Sequence, residues 1–105
     1  MSTFEQSREW REIMIIDTAT FRRALEVNPA DAEAWLDTIR QNRGKYSQYD
    51  DRWLDHREQE LFQAFCKTSD WPAAKRVVEA TEDPHSKEGR ERRLVILAGT
   101  PYEEI

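Results

Sequence analysis

Residues 21–42 read FRRALEVNPADAEAWLDTIRQN, and this stretch decides the fold class. Phe21, Ala24 and Leu25 recur at helical spacing, Asn28-Pro29 stops the run, and Asp31 opens a second one carrying Ala32, Trp35, Leu36 and Ile39. Proline has no amide hydrogen to give and its ring clashes with the preceding turn, so no regular helix passes through Pro29. Two helices joined by so short a turn pack antiparallel. Such a hairpin is scaffold rather than chemistry.

Toward the N-terminus, Thr3 and Gln6 have the spacing of a capping box, which predicts a helix from about Phe4 with Trp10, Ile13 and Met14 on its buried side. A break is expected near Asp17, because Asp17 and Thr18 suit a helix cap better than a helix interior. Toward the C-terminus, the second helix is expected to end at Gly44. A longer helix should then run from Ser47 to about Lys67 on the pattern Tyr49, Trp53, Leu54, Leu61 and Phe65, with Asp50, Asp51, Arg57 and Glu58 on its other faces.

Thr68-Ser69-Asp70 interrupts that helix, and Asp70 caps the next, where Pro72 is tolerated in the first turn ahead of Trp71, Ala74, Val77 and Val78. Glu82-Asp83-Pro84 is a second acidic stop before a proline, and Ser86 is the expected cap of a last helix that ends at Gly99 and Pro101. Residues 94–98 (LVILA) form the longest apolar run, and a lone strand there would leave its backbone groups without partners, so the run is assigned to helix. The predicted core comprises Trp10, Ile13, Phe21, Leu25, Trp35, Leu36, Ile39, Trp53, Leu61, Phe65, Val78, Leu94 and Leu97. Residues 1–99 are read as one helical domain and residues 100–105 as a flexible tail.

A chain of 105 residues has room for one core that buries roughly two thirds of the unfolded surface. Hydrophobic residues at 38% and four tryptophans exclude a wholly disordered chain. The net charge of −5 is spread over both halves. The densest basic stretch, residues 87–93, is diluted by Glu88 and Glu91, so direct nucleic-acid binding is not expected. The single Cys66 has no partner for an internal disulfide, the N-terminal residues lack the apolar centre of a signal peptide, and no segment has membrane-spanning length. A cytoplasmic setting without membrane contact is expected.

The run Ala24-Leu25-Glu26-Val27-Asn28-Pro29, with Trp35 six residues past the proline, resembles a tetratricopeptide repeat (TPR) or the related half-a-TPR repeat. A looser second unit lies at Leu61-Phe62, Phe65, Trp71, Ala74 and Pro84, with Ser69-Asp70-Trp71 in place of the turn between paired helices. Pro29 and Pro84 are 55 residues apart, against a repeat length of about 34. The resemblance implies a compact all-α bundle of about five or six helices with TPR-like hairpins, and a function of binding protein or peptide.

The sequence assembles no catalytic set. His56 lies four residues before Glu60, a spacing that suits a surface ion pair better than a metal site lacking its third ligand, and His85 follows Pro84 in an expected loop. Gly44, Gly89 and Gly99 are isolated, so there is no phosphate loop. No catalytic residue, cofactor or metal is therefore predicted. The tail Tyr102-Glu103-Glu104-Ile105 looks like the phosphotyrosine peptide favoured by Src-type SH2 domains, although a solvated acidic tail is the plainer reading.

The aromatic content points to contact instead: Tyr46, Tyr49 and Trp53, with Asp50 and Asp51 beside them, are the expected partner-binding residues on a helix-lined surface offered to a protein or to a second copy of the chain. Two rivals stand beside this reading. One is an acidic decoy that occupies a nucleic-acid site through Asp50, Asp51, Asp55 and Glu58. The other is a small enzyme working through carboxylates that the fold brings together.

Overall fold

The computed structural model describes residues 18–42 and 50–105. Among these residues the chain forms five α-helices and no strand: α1 (Thr18–Val27), α2 (Pro29–Gln41), α3 (Asp51–Lys67), α4 (Trp71–Ala80) and α5 (Pro84–Ala98), followed by one 3-10 turn (Tyr102–Glu104). The all-α prediction holds. The expected first helix with Trp10 and Ile13, and Tyr46 and Tyr49, lie outside the described residues; the expected helix end at Gly44 is corrected, because α2 ends at Gln41 with Asn42 as its C-cap. No helix among the described residues is long and apolar enough to cross a membrane.

The helix starts follow one chemical rule. Asn28, Asp50, Asp70 and Asp83 each place a side-chain oxygen on a backbone N–H of the first turn, at 2.8 Å for Trp53 and Ser86 and 3.2 Å for Ala30. A proline follows the cap of α2, α4 and α5 within two residues, where its missing N–H would have had no helical partner anyway. One expected helix start and one expected cap are thereby corrected. Asp31 sits in the first turn of α2 with Asn28 as the cap, and Ser86 is the residue whose N–H the Asp83 cap receives. Asp50 is likewise the cap of α3, so that helix begins at Asp51; Ser47, its expected start, lies outside the described residues.

α5 ends as expected at Gly99, whose φ of +69° is a left-handed conformation that suits glycine, and residues 94–98 are helical as predicted. Within residues 100–105, read from the sequence as a tail, Tyr102–Glu104 form the 3-10 turn. Lys75 Nζ donates to the carbonyls of Tyr102 at 3.2 Å and Ile105 at 3.4 Å and lies 4.7 Å from the centre of the Tyr102 ring.

α3 organises the bundle, because it packs against each of the other four helices, while α1 lies on α2 and α4 on α5. Its buried Leu54, Leu61, Phe62 and Phe65 meet Phe21 of α1, Ala32, Leu36 and Ile39 of α2, Ala73, Ala74, Val77 and Val78 of α4, and Leu94 of α5 in one cluster. Of the predicted core, Leu25, Trp35 and Trp53 pack at the edge of this cluster, half-buried. Leu97 is corrected: it is 41% exposed. Consecutive apolar residues wind around a helix instead of lining one side, so of residues 94–97 Leu94 alone is buried.

Candidate functional site

Arg57, Glu58 and Arg90 are buried, although charged residues of an amphipathic helix belong on its wet faces. Arg90 and Glu58 are paired by the elements α3 brings together, whereas Arg57 keeps its Nε buried without a hydrogen bond, facing Glu60 as an ion pair only. Arg90, 3% exposed, reaches from α5 to α4 and α3: Nη1 donates to Thr81 Oγ1 at 2.9 Å, Nε to Gln59 Oε1 at 2.8 Å, and Nη2 to the Asp55 carbonyl at 2.8 Å and Asp55 Oδ1 at 3.1 Å. Glu58 is held by the Arg40 guanidinium of α2 on one oxygen and faces Arg90 Nη1 at 3.7 Å on the other. Burial pushes the Glu58 carboxyl above its ordinary value, and Arg40 and Arg90 offset part of that rise. Arg57 donates to Thr18 Oγ1 at 2.7 Å, its Nε lies 2.9 Å from Glu60, and its guanidinium lies 5.6 Å from the centre of the Trp53 ring.

Beside this network two concavities flank Asp55. The first, about 340 Å³, is lined by Asp51, Asp55, Glu58, Glu82 and Asp83 with Arg40. It collects the carboxylates that both the enzyme and the decoy readings invoke, yet three of them are already committed. Glu58 has a guanidinium on each oxygen, Asp55 accepts from Arg90 and the Ser86 hydroxyl, and Asp83 caps α5. The backbone N–H of Ser86 holds the exposed Asp83 carboxyl below its ordinary value, as expected for a cap.

The second concavity is a groove of about 560 Å³ with a floor on α3, one wall contributed by Arg22 of α1 and the other by α5. Four guanidiniums (Arg22, Arg57, Arg90, Arg93) and two carboxylates (Asp55, Glu60) line it, so it is net positive in a chain of net charge −5. Both histidines of the chain, His56 and His85, lie on this groove. The expected ion pair between His56 and Glu60 is corrected, because Arg22 Nε at 2.7 Å and Arg57 Nε at 2.9 Å occupy Glu60. His85 is also corrected: it belongs to the first turn of α5 and not to a loop. Arg93 is exposed and makes no hydrogen bond or ion pair with the described residues. Among the described residues no three His, Cys, Asp or Glu side chains gather where they would hold a metal ion.

The expected contact residues fare differently. Trp53 packs edge-on against Phe21, ring centres 6.5 Å apart, so its ring is committed to the seam between α1 and α3. Asp50 is exposed but serves as the α3 cap, and Asp51 is exposed in the first turn of that helix. Tyr102 is half-buried; burial, with Glu79 and Glu91 adding to it, raises its phenol, and the tail is folded where an SH2 ligand is extended. The groove itself went unread in the sequence, since its walls come from three elements separated along the chain. The one available signal was the coincidence of the basic stretch 87–93 with an otherwise acidic composition. No family model matches this chain, and no curated protein or solved structure matches it either.

Proposed function

We propose that the chain is a non-catalytic module that binds another protein, and that the groove between α1 and α5 receives the partner. One observation carries this reading: the groove is net positive in an acidic chain, and its Arg93 guanidinium has no partner among the described residues. A charge held on the surface with nothing to pair it is a ready contact for a complementary group. The wall formed by α5 continues into the exposed Ile96 and Leu97, 69% and 41% accessible, which adds an apolar end to a charged surface. This moves the contact surface away from the aromatics around Trp53. Binding without chemistry fits the committed state of every carboxylate at Asp55, Glu58 and Asp83. A cytoplasmic setting fits the lone, half-buried Cys66.

The acidic decoy is the second reading, and the gathering of Asp51, Asp55, Glu58, Glu82 and Asp83 favours it. It ranks lower because a phosphate mimic must be exposed, and Glu58 is not. The experiment is affinity capture from the native host with wild-type and Arg93→Glu baits, followed by reconstitution of the complex from purified components. A partner that binds the wild type and is lost on Arg93→Glu is expected. A partner that ignores Arg93 but is released by Asp51→Lys would establish the decoy. A protein that retains nothing and stays monomeric at high concentration would end the binding reading.

A further inference from the structure

Gly89 stands in the interior of α5, where glycine is a poor helix former, yet no heavy atom lies within 4 Å of the position a Cβ would take. Its backbone is helical, so neither conformation nor internal packing calls for glycine. What glycine does provide is a bare stretch of backbone on the wall of the groove.

The neighbours of Gly89 define what that bare stretch would meet. Helical spacing stacks His85, Gly89 and Ile96 along one stripe of α5, and sets Arg93 and Leu97 one turn apart on the groove side of it. The groove lining carries both histidines and Arg93, with Arg22 of α1 opposite; past it α5 runs on to the exposed Ile96 and Leu97, and Ile96 opens onto a separate concavity with Glu88, Glu91, Arg92 and Val95. Asp55 and Glu60 also line the floor, and the chain as a whole is negative. A nucleic-acid backbone would carry repeated phosphates past those carboxylates and would find no use for the apolar end. A peptide with carboxylates at one end and apolar side chains at the other matches both halves.

We propose that the groove takes an acidic amphipathic segment of the partner protein, its carboxylates at Arg93, Arg22 and the two histidines, its apolar residues against Ile96 and Leu97, and its backbone closest at Gly89. This rests on the protein-binding reading above and names the chemistry of the partner. Arg93 is the anchor, because Arg22 is already shared with Glu60 and would have to exchange one carboxylate for another.

Fluorescence anisotropy with labelled synthetic peptides and the full chain tests it. The probes are a peptide with glutamates at one end and leucines at the other, the same peptide with lysine for glutamate, the same with serine for leucine, and a single-stranded DNA oligonucleotide. The glutamate–leucine peptide should bind, and the other three should bind at least about tenfold more weakly. Arg93→Glu and Gly89→Leu should each weaken it about tenfold, while Arg52→Glu, a surface change outside the groove, leaves it unaltered. Gly89→Leu has open space and a better helix former, so loss of binding there cannot be loss of fold; circular dichroism should match the wild type. Tighter binding of the oligonucleotide, or peptide binding indifferent to both groove variants, overturns the proposal. If the peptide fails while the captured partner still depends on Arg93, the acidic-segment inference falls and the protein-binding reading stands. If the captured partner is also indifferent to Arg93, both fall.

Discussion

Arg90 shows what a single buried charge does in this fold. It donates to groups on α3 and to Thr81 at the end of α4, so it ties three helices at one point. Removing it leaves Glu58 and the Thr81 hydroxyl short of partners in a buried site, and breaking such a pair costs about 3–5 kcal/mol. Arg90→Ala is expected to lower unfolding free energy by that amount in urea titration, whereas the exposed Arg92→Ala should stay within about 0.5 kcal/mol. Glu58 makes a separate prediction about pH. Its folded pKa is raised above the ordinary 4.5 by burial, against the pull of Arg40 and Arg90, so folding takes up a proton there. The stability from this group is fully present below the unfolded value and is lost as pH rises through the folded one. Glu58→Gln has no such dependence, so acidification from neutrality through that window should shift the stability difference in favour of the wild type. A shift toward the glutamine variant would mean that the two guanidiniums outweigh desolvation. Asp83 has the opposite sign: its depressed carboxyl contributes above its ordinary 3.8 and loses that contribution as pH falls through the folded value.

At the level of helices, the ends were far more legible than the faces. Prolines and Asn or Asp side chains announce a helix start through local chemistry, which is why the breaks at Asn28-Pro29, Asp70 and Asp83-Pro84 could be read in advance. Asp31, the expected start of its helix, and Ser86, the expected cap of another, both lie inside the first turn, because the cap precedes a proline that occupies that turn. Arg57, Glu58 and Arg90 escaped because periodicity counts every charge as surface and cannot see a partner on another helix. Local chemistry also predicts that one substitution has opposite signs at two glycines. Gly99→Ala puts a Cβ at φ +69° and should destabilise by about 1 kcal/mol, while Gly89→Ala, in a regular turn with open space, should stabilise by about 0.5–1 kcal/mol. Thermal unfolding of the two variants side by side decides the matter. Removing the cap in Asn28→Ala should cost about 1 kcal/mol, since the Ala30 N–H loses its acceptor.

Across the whole molecule, the consequence of placing α3 against all four other helices is that no helix has a core of its own. The groove follows from the same arrangement, because a central helix flanked by α1 and α5 keeps one charged face open between them. No reading of the chain in order brings Arg22, His56 and Arg93 together, so the site had to wait for the packing. Stability should accordingly be concentrated in α3. Leu61 and Phe62 are each 1% exposed, and cutting either to alanine leaves a cavity at the junction of the bundle that costs about 2–5 kcal/mol. The loss should appear as a lower denaturation midpoint with an unchanged slope, because helices that share one core unfold together. Ile96→Ala, on the open face of α5, should leave the midpoint where it is. Amide hydrogen exchange then separates one cooperative unit from a set of loosely joined hairpins. The amides in the middle of α3, α4 and α5 should share a single opening free energy equal to that of global unfolding, while those of the 3-10 turn, held at the core's edge by Tyr102, Ile105 and the Lys75 contacts, should open earlier. If α1 and α2 exchange together at a free energy well below that of α4 and α5, the shared core does not hold them as one unit, and the alanine variants at Leu61 and Phe62 should then broaden the transition instead of shifting it.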